Sequence, residues 1–506
     1  MLARRSSLRY AVAVADDRLG RYVSNLDRDV FALRNLPEEV VAVLFAYYSR
    51  SRDDLRSNLR KLLDDQELSV LDGADGAAPP LATAQDKARA FHEKWVVGYG
   101  HSSVAEHAVV HLAVERCSIV AAKALEDARL AAYTEKSTRY VRFDEGTLVS
   151  DIGLPPELAQ RYEATGRHLL RVYTGLLDVV ENRLFVRHPT PEGVNPKAHA
   201  ATLKAHACDL LRGMLPAGVP TNVGITANAR VLEQHISKLL GSPLAEVRRI
   251  AEALRDEGRT VTPTLLKYTA PRPHRDHAAA RVLHAHGALH PVGRDNPEDV
   301  TLIDRSPEPL RVVATAIQCE LFGTPWNDAW AGALDPSHAR AIFDAYMAER
   351  GPHDAPGRAL EQVWFRFEIA CDYGAWRDLQ RHRLVSASTP RLTAREGYTL
   401  SPELDALGVG RDVRAALDGV APVYEAIAAT HPWEAQYLVP LAFRVRYLAT
   451  MNLRELFHLT ELRAARQGHP AYRRVAQAIA RHAIDHCPWL ESHLRIDWED
   501  HPFARH

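Results

Sequence analysis

Arginine is concentrated in one stretch of this sequence, where Arg377, Arg381, Arg383, Arg391 and Arg395 surround His382. Guanidinium forks match phosphate oxygens two at a time and do not deprotonate, so the stretch suits a held phosphate or nucleotide. The same residues would equally serve as a solvated, ion-paired face. Further on, Asn452, Arg454 and Arg463 lie in a Leu-rich stretch that reads as one helix from Leu448 to Arg466. On such a helix Asn452 and Arg463 share nearly one side. The elements that must position these groups are legible around them. Val363, Phe365, Phe367 and Ile369 alternate in period two and predict a half-buried strand opened by Glu361, with a helical piece from Tyr373 to Arg383 behind it.

Arg381-His382-Arg383 followed by Ser386 resembles the signature of the flavin-dependent thymidylate synthases, an Arg-His-Arg, two residues and a Ser, continued by Asn-Glu-x-Ser-x-Arg-Tyr. The continuation is missing here, because Ser388 to Ala394 occupies its place. It appears elsewhere with the opposite losses: Asp127-Ala128-Arg129 stands for the Arg-His-Arg, while Glu135, Ser137, Arg139 and Tyr140 are intact. His101-Ser102-Ser103 through Glu106-His107 resembles a second element of the family, answered by Glu361-Gln362. Arg212 falls four residues before Pro216, and Asn228-Ala229-Arg230 begins twelve after it; Asn452-Leu453-Arg454 begins twelve after Pro440. The chain therefore reads as two divergent copies of one domain.

Length and composition agree. A chain of 506 residues with 46% hydrophobic content accommodates two full cores. A formal charge of −1 argues against a partner such as nucleic acid or a membrane surface and favours small anionic ligands. Five scattered cysteines without a C-x-x-C pair indicate neither a disulfide framework nor a cysteine metal site, and with no leader or membrane-length apolar run they suggest a cytoplasmic protein. His101, Glu106, His107 and His111 offer a metal-site reading, rejected because residues four apart on a strand are well separated. No metal is expected.

The expected organisation is a helical lead-in at 1–84, with a helical pattern from Leu36 to Leu63 and a small-residue linker at Asp72–Ala84. A first copy follows at 85–268, then a Pro/His-rich linker at 269–300 and a second copy at 301–506. In the first copy Lys87–Val97, Ser118 to about Leu130, Pro155–Arg187 and Ala198–Leu215 read as helices. The histidines between Pro271 and Pro291 are spaced for a solvated linker rather than a ligand set. In the second copy Asp405 to Ala429 and Tyr472 to Ile484 read as helical.

The resemblance implies an α+β fold, a tandem duplication of a mainly helical domain with an antiparallel sheet. It implies reductive methylation of dUMP, or a related pyrimidine nucleotide, to dTMP, with FAD as cofactor and NADPH and 5,10-methylenetetrahydrofolate as co-substrates. It assigns Arg463 to the uracil edge as catalytic group. Arg381, His382, Arg383, Asn452, Arg454, Glu361, Ser103, Glu106, Asn228 and Arg230 fall to the flavin, and Glu135, Ser137, Arg139 and Arg212 to the nucleotide. Family sites lie between subunits, so one composite site between the copies and a homodimer forming a pseudo-tetramer are expected. The departures are Gln436 for the nucleotide arginine, Gln362 for a histidine, Leu239 opposite Arg463, and Asp378 and Ala124 for a glutamine. They leave open a flavoenzyme acting on another pyrimidine nucleotide, or a homologue that only binds.

Overall fold

The period-two runs become strands, and Ser118, Asn228, Asp372 and Asn452 at their ends cap the helices that follow. A computed structural model describes residues 19–49, 51–64, 102–272, 274, 277–286 and 299–501. In chain order the first elements are α1 (Glu38–Tyr48), α2 (Leu55–Asp64), β1 (Val109–Ser118), α3 (Ile119–Leu125), β2 (Ala131–Glu135), α4 (Pro156–Arg187), α5 (Pro196–Leu211), β3 (Pro220–Asn228), α6 (Ala229–Leu240), α7 (Ala245–Val261) and α8 (Ala278–His286). Then come β4 (Val300–Arg305), α9 (Pro309–Phe322), α10 (Trp326–Gly332), α11 (Pro336–Met347), β5 (Trp364–Asp372), α12 (Tyr373–Leu379), β6 (Ser386–Ser388), α13 (Glu403–Ala406), α14 (Gly410–Asp418), α15 (Val420–Ala428), β7 (Arg444–Asn452), α16 (Leu453–Ala464) and α17 (Pro470–His486).

These elements form two compact units. One comprises the described parts of Met1–Cys117, Ala124–Glu135 and Thr221–Leu289; the other comprises Ser118–Lys123, Lys136–Pro220 and the described part of His290–His506. The first holds a sheet of order β1-β3-β2 and the second a sheet of order β4-β5-β7-β6. β2 and β3 pair antiparallel with Tyr133 opposite Ile225, and β5 and β7 pair antiparallel with Phe367 opposite Ala449. In β7, Val445, Tyr447, Ala449 and Met451 are buried and alternate with more exposed residues, as a strand with one face on a core requires. Val363, Phe365, Phe367 and Ile369 are all buried, as their alternation predicts.

The strand order β1-β3-β2 recurs as β5-β7-β6, and β4 is an added edge. β3 and β7 are each nine residues, and the helices that follow them, α6 and α16, are each twelve. β1 is one residue longer than β5, and within it Arg116 adopts a left-handed φ of 57°. Its N–H donates to Asn222 Oδ1 at 3.0 Å.

Inside the second unit the repeat is written in backbone hydrogen bonds. Ile119 and Val120 N–H donate to Val219 and Ala217, each at 3.2 Å, while Tyr373 and Gly374 donate to Phe443 and Leu441 at 2.9 and 3.0 Å. Between these segments Pro216 and Pro440 form an antiparallel bridge. Around it the bonds are reciprocal: Ala217 N–H to Val439 O and Leu441 N–H to Leu215 O, both 2.9 Å; Gly218 N–H to Tyr437 O at 2.7 Å and Ala442 N–H to Gly213 O at 2.8 Å. Reciprocity of this kind marks an isologous contact about a local two-fold axis. A Cβ on Gly218 would stand 2.1 Å from the Tyr162 hydroxyl and 2.9 Å from Tyr437 O, so the approach requires glycine.

Several expected boundaries move. Leu448 to Asn452 belongs to β7, and the helix begins only at Leu453. The helix expected to reach Arg383 ends at Leu379, because the chain must turn to pair Ser386 with Thr450. Likewise the helix expected to run to about Leu130 stops at Leu125 so that Ala131 can pair with Ala227. The Leu36–Leu63 pattern is split into α1 and α2, and part of the Pro/His-rich stretch forms α8. The expected features at Asp72–Ala84 and Lys87–His101 lie outside the described residues. Among the described residues no helix is long and apolar enough to cross a membrane.

Candidate functional site

The turn after α12 and the helix α16 meet in a buried polar network. His382 and Glu455 are 4% and 3% exposed, and His382 Nδ1 lies 2.8 Å from Glu455 Oε1. Arg463 Nε donates to His382 Nε2 at 2.9 Å. Because arginine only donates, Nε2 must present its lone pair, and the imidazole proton sits on Nδ1 and donates to Glu455. Burial and the Arg463 charge keep His382 below its ordinary histidine range, against the pull of Glu455. Burial opposes the charge of Glu455, but hydrogen bonds from His382 and His458 outweigh it and hold the carboxyl at about 2. His458 Nδ1 is 3.5 Å from the carboxylate, and the Arg463 guanidinium lies 5.4 Å over the Tyr472 ring. His382, Glu455 and His458 are close enough to suggest a metal cluster. The Arg463 bond accounts for the grouping differently, since it fixes a proton on Nδ1, the atom a metal would need.

Asn452 heads α16 as its cap, with Oδ1 accepting from Glu455 N at 2.8 Å. Arg454 donates to Pro356 O at 2.8 Å and to Glu361 Oε1 at 3.1 Å. The first unit repeats this arrangement: Asn228 caps α6 through Val231 N at 2.9 Å, and Arg230 pairs with Glu106. These residues, expected on the flavin, thus spend at least part of their bonding on holding strand to helix. Ser103 is exposed on the short turn Ser102–Glu106, and Arg381 and Arg383 are exposed beside the buried His382.

A second cluster gathers the nucleotide-side residues of the second unit. Arg139 donates to both oxygens of Asp209 at 2.8 and 3.0 Å, and its backbone N–H donates to Ser137 Oγ at 3.2 Å. Arg212, 5% exposed, caps the C-terminus of α5; its Nη2 meets no hydrogen-bond acceptor among the described residues, and Asp378 Oδ2 is 3.9 Å away. Gly374 leaves it room, since a Cβ there would come within 3.4 Å of Nη2. Burial lowers the Arg212 pKa and raises that of Asp372, whose Oδ1 caps α12 through Ala375 N at 2.8 Å. Burial, then the charges of Arg212, Arg139, Arg474 and His206, push His469 well below its usual range. Half-buried Lys123 lies 4.8 Å over the Trp376 ring, and burial lowers its amine to about 8. Arg139 and Arg212 stand there among Asp209, Asp372 and Asp378, largely desolvated, and the Arg212 Nη2 donor still lacks an acceptor, which an anion would supply.

Glu135 ends β2 in the first unit, with Ser103, Glu106, Asn228 and Arg230. Gln436, at the position where the second copy lacks the nucleotide arginine, is buried: its Oε1 accepts from Leu392 N and its Nε2 donates to Trp433 O, both at 3.0 Å. Sequence reasoning missed Glu455, Asp209, Asp372 and His469. The first carried a signal, an Asn-x-x-Glu capping pattern at Asn452; the others depend on contacts distant in sequence.

The family model described as thymidylate synthase complementing protein matches residues 37–264 and again 301–489. A "UPF0159 protein" of Chlamydia muridarum is 33% identical over 97% of this chain and 96% of its own length. A flavin-dependent thymidylate synthase of Saccharolobus solfataricus is 31% identical over 35% of this chain and 62% of its own length. Among solved structures, a flavin-dependent thymidylate synthase of Helicobacter pylori complexed with FAD and dUMP aligns over 39% of this chain and all of its own, at 18% identity and a TM-score of 0.30.

Proposed function

Because the chain belongs to the family described as thymidylate synthase complementing protein, we propose that it is a flavin-dependent thymidylate synthase. It converts dUMP to dTMP with methylenetetrahydrofolate and NADPH as co-substrates, at a composite site of groups from both copies. The observation that carries this reading is Arg212, a buried guanidinium with an unmatched Nη2 next to Arg139 and His469. A phosphate would complete its bonding.

The residues fit the cofactor. Arg381 and Arg383 are exposed on the turn where they would meet the phosphates of FAD, and Asn452 keeps its amide donors at the head of α16. When bound, FAD supplies the reducing electrons and the folate the one-carbon unit. The chain's own residues orient the pyrimidine and stabilise charge. Arg212 and Arg139 take the phosphate end, and Arg463, held at Nε by His382, turns its Nη donors to the pyrimidine edge, where negative charge grows as C5 becomes nucleophilic.

Tritium release from [5-³H]dUMP, with FAD, NADPH and methylenetetrahydrofolate present and then with folate omitted, tests the reading. Folate-dependent release with dTMP formed is expected. Arg212→Leu should weaken dUMP binding about 10- to 100-fold, the loss of one charge-assisted hydrogen bond, read by calorimetry. No release from a flavin-loaded protein would refute thymidylate synthesis.

A further inference from the structure

The two copies act as controls for each other. Each keeps the asparagine cap and the Arg–Glu pair that anchor the helix after the long strand: Asn228 with Arg230–Glu106, and Asn452 with Arg454–Glu361. Only the second keeps Glu455, His382 and Arg463. By the matched elements and registers, their counterparts in the first copy are Val231, Ala128 and Leu239. α6 forms with valine at the Glu455 position, so the helix does not need the carboxylate. Three residues linked by hydrogen bonds are absent together in one copy and present together in the other, as members of one device would be.

We propose that Glu455 is a positioning residue for Arg463, acting through the tautomer of His382. The carboxylate accepts a hydrogen bond from Nδ1–H at 2.8 Å, which leaves the Nε2 lone pair to receive Arg463 Nε at 2.9 Å. Without the carboxylate the imidazole is free to carry its proton on Nε2, where it would oppose the arginine donor. His458, 3.5 Å from the other carboxylate oxygen, steadies Glu455. Held at Nε, the guanidinium plane of Arg463 has one orientation and its Nη groups face a ligand already aimed. This rests on the reading of Arg463 as the pyrimidine contact, but the tautomer itself does not.

The test uses full-length protein labelled with ¹⁵N-histidine, with His382→Ala assigning the resonances. Wild type should show a single tautomer at His382, with Nδ1 protonated and Nε2 not. Glu455→Val, which copies the first repeat, should lose that fixed state, and Glu455→Gln, which retains an acceptor oxygen, should keep it. In the tritium-release assay Glu455→Val should lower kcat about 10- to 100-fold, the effect of a misaimed group, with KM for dUMP changed little, and Glu455→Gln should restore most of the rate. An unchanged tautomer in Glu455→Val would overturn the proposal. So would a Glu455→Gln variant as impaired as the valine one, because a need for charge alone is not positioning. If Glu455→Val does not fold, Arg463→Leu replaces it: with the carboxylate still accepting from Nδ1 the tautomer should stay fixed, and a relaxed tautomer, which would mean that the arginine sets it, defeats the proposal. If the wild type releases no tritium, the functional reading fails by itself and the nitrogen spectra still decide this one.

Discussion

The residues of the His382 network carry a pH dependence whose sign is fixed by two shifts in the same sense. Glu455 ionises at about 2 in the fold against 4.5 unfolded, so its contribution is present above pH 4.5 and lost as pH falls toward 2. His382 is held below its unfolded value of 6.5, so the unfolded chain takes up that proton first and stability again falls on acidification. The Glu455 shift predicts that Glu455→Gln loses less stability than wild type as pH falls from about 5 to 2, with the carboxylate's share of order 3 kcal/mol. Urea melts across that range check it, and parallel slopes for the two proteins would contradict it. At this scale the sequence was partly legible. Arg139, Arg212, His382 and Arg463 stand out by type and spacing, whereas Asp209, Asp372 and His469 do not, because nothing local tells a buried carboxylate or imidazole from a solvated one.

At the scale of elements, two helices open on the same device. Asn228 and Asn452 each accept from the backbone three residues on, and removing such a cap costs about 1 kcal/mol. Asn228→Ala and Asn452→Ala should therefore lower stability by similar amounts, measured by denaturant titration. Only the second should also disturb the His382 network, since its acceptor holds Glu455 N. Unequal costs with no change in that network would mean the two helix starts are not alike. The error in reading Leu448 to Asn452 as helix is instructive. The buried Val445, Tyr447, Ala449 and Met451 carry a period of two, but the Leu-rich residues beyond invite a helical reading that extends backwards over the end of the strand. Helix ends at Leu379 and Leu125 were likewise hidden, because they are set by pairing with strands far away in sequence.

For the whole molecule the duplication was legible from spacing alone: both Pro216 and Pro440 precede an Asn-x-Arg by the same interval, and the helices that follow match in length. The reciprocal ladder about those prolines was not, since backbone pairing leaves no mark on residue type beyond a glycine. That glycine supplies a prediction. Gly218→Ala would drive a methyl against the Tyr437 carbonyl and the Tyr162 hydroxyl, and should cost about 1–3 kcal/mol, the usual price of overpacking. Gly213→Ala meets only Ala442 Cβ at 3.1 Å and should be milder. Thermal unfolding of the two variants checks the order. Were these two segments on separate polypeptides, the ladder would dissolve on dilution, and every substitution would appear on both sides of the axis at once. Carried by one chain, they meet at an effective concentration set by the connecting residues. The contact survives any dilution, and each side is free to diverge alone, as Arg212 has from Gln436.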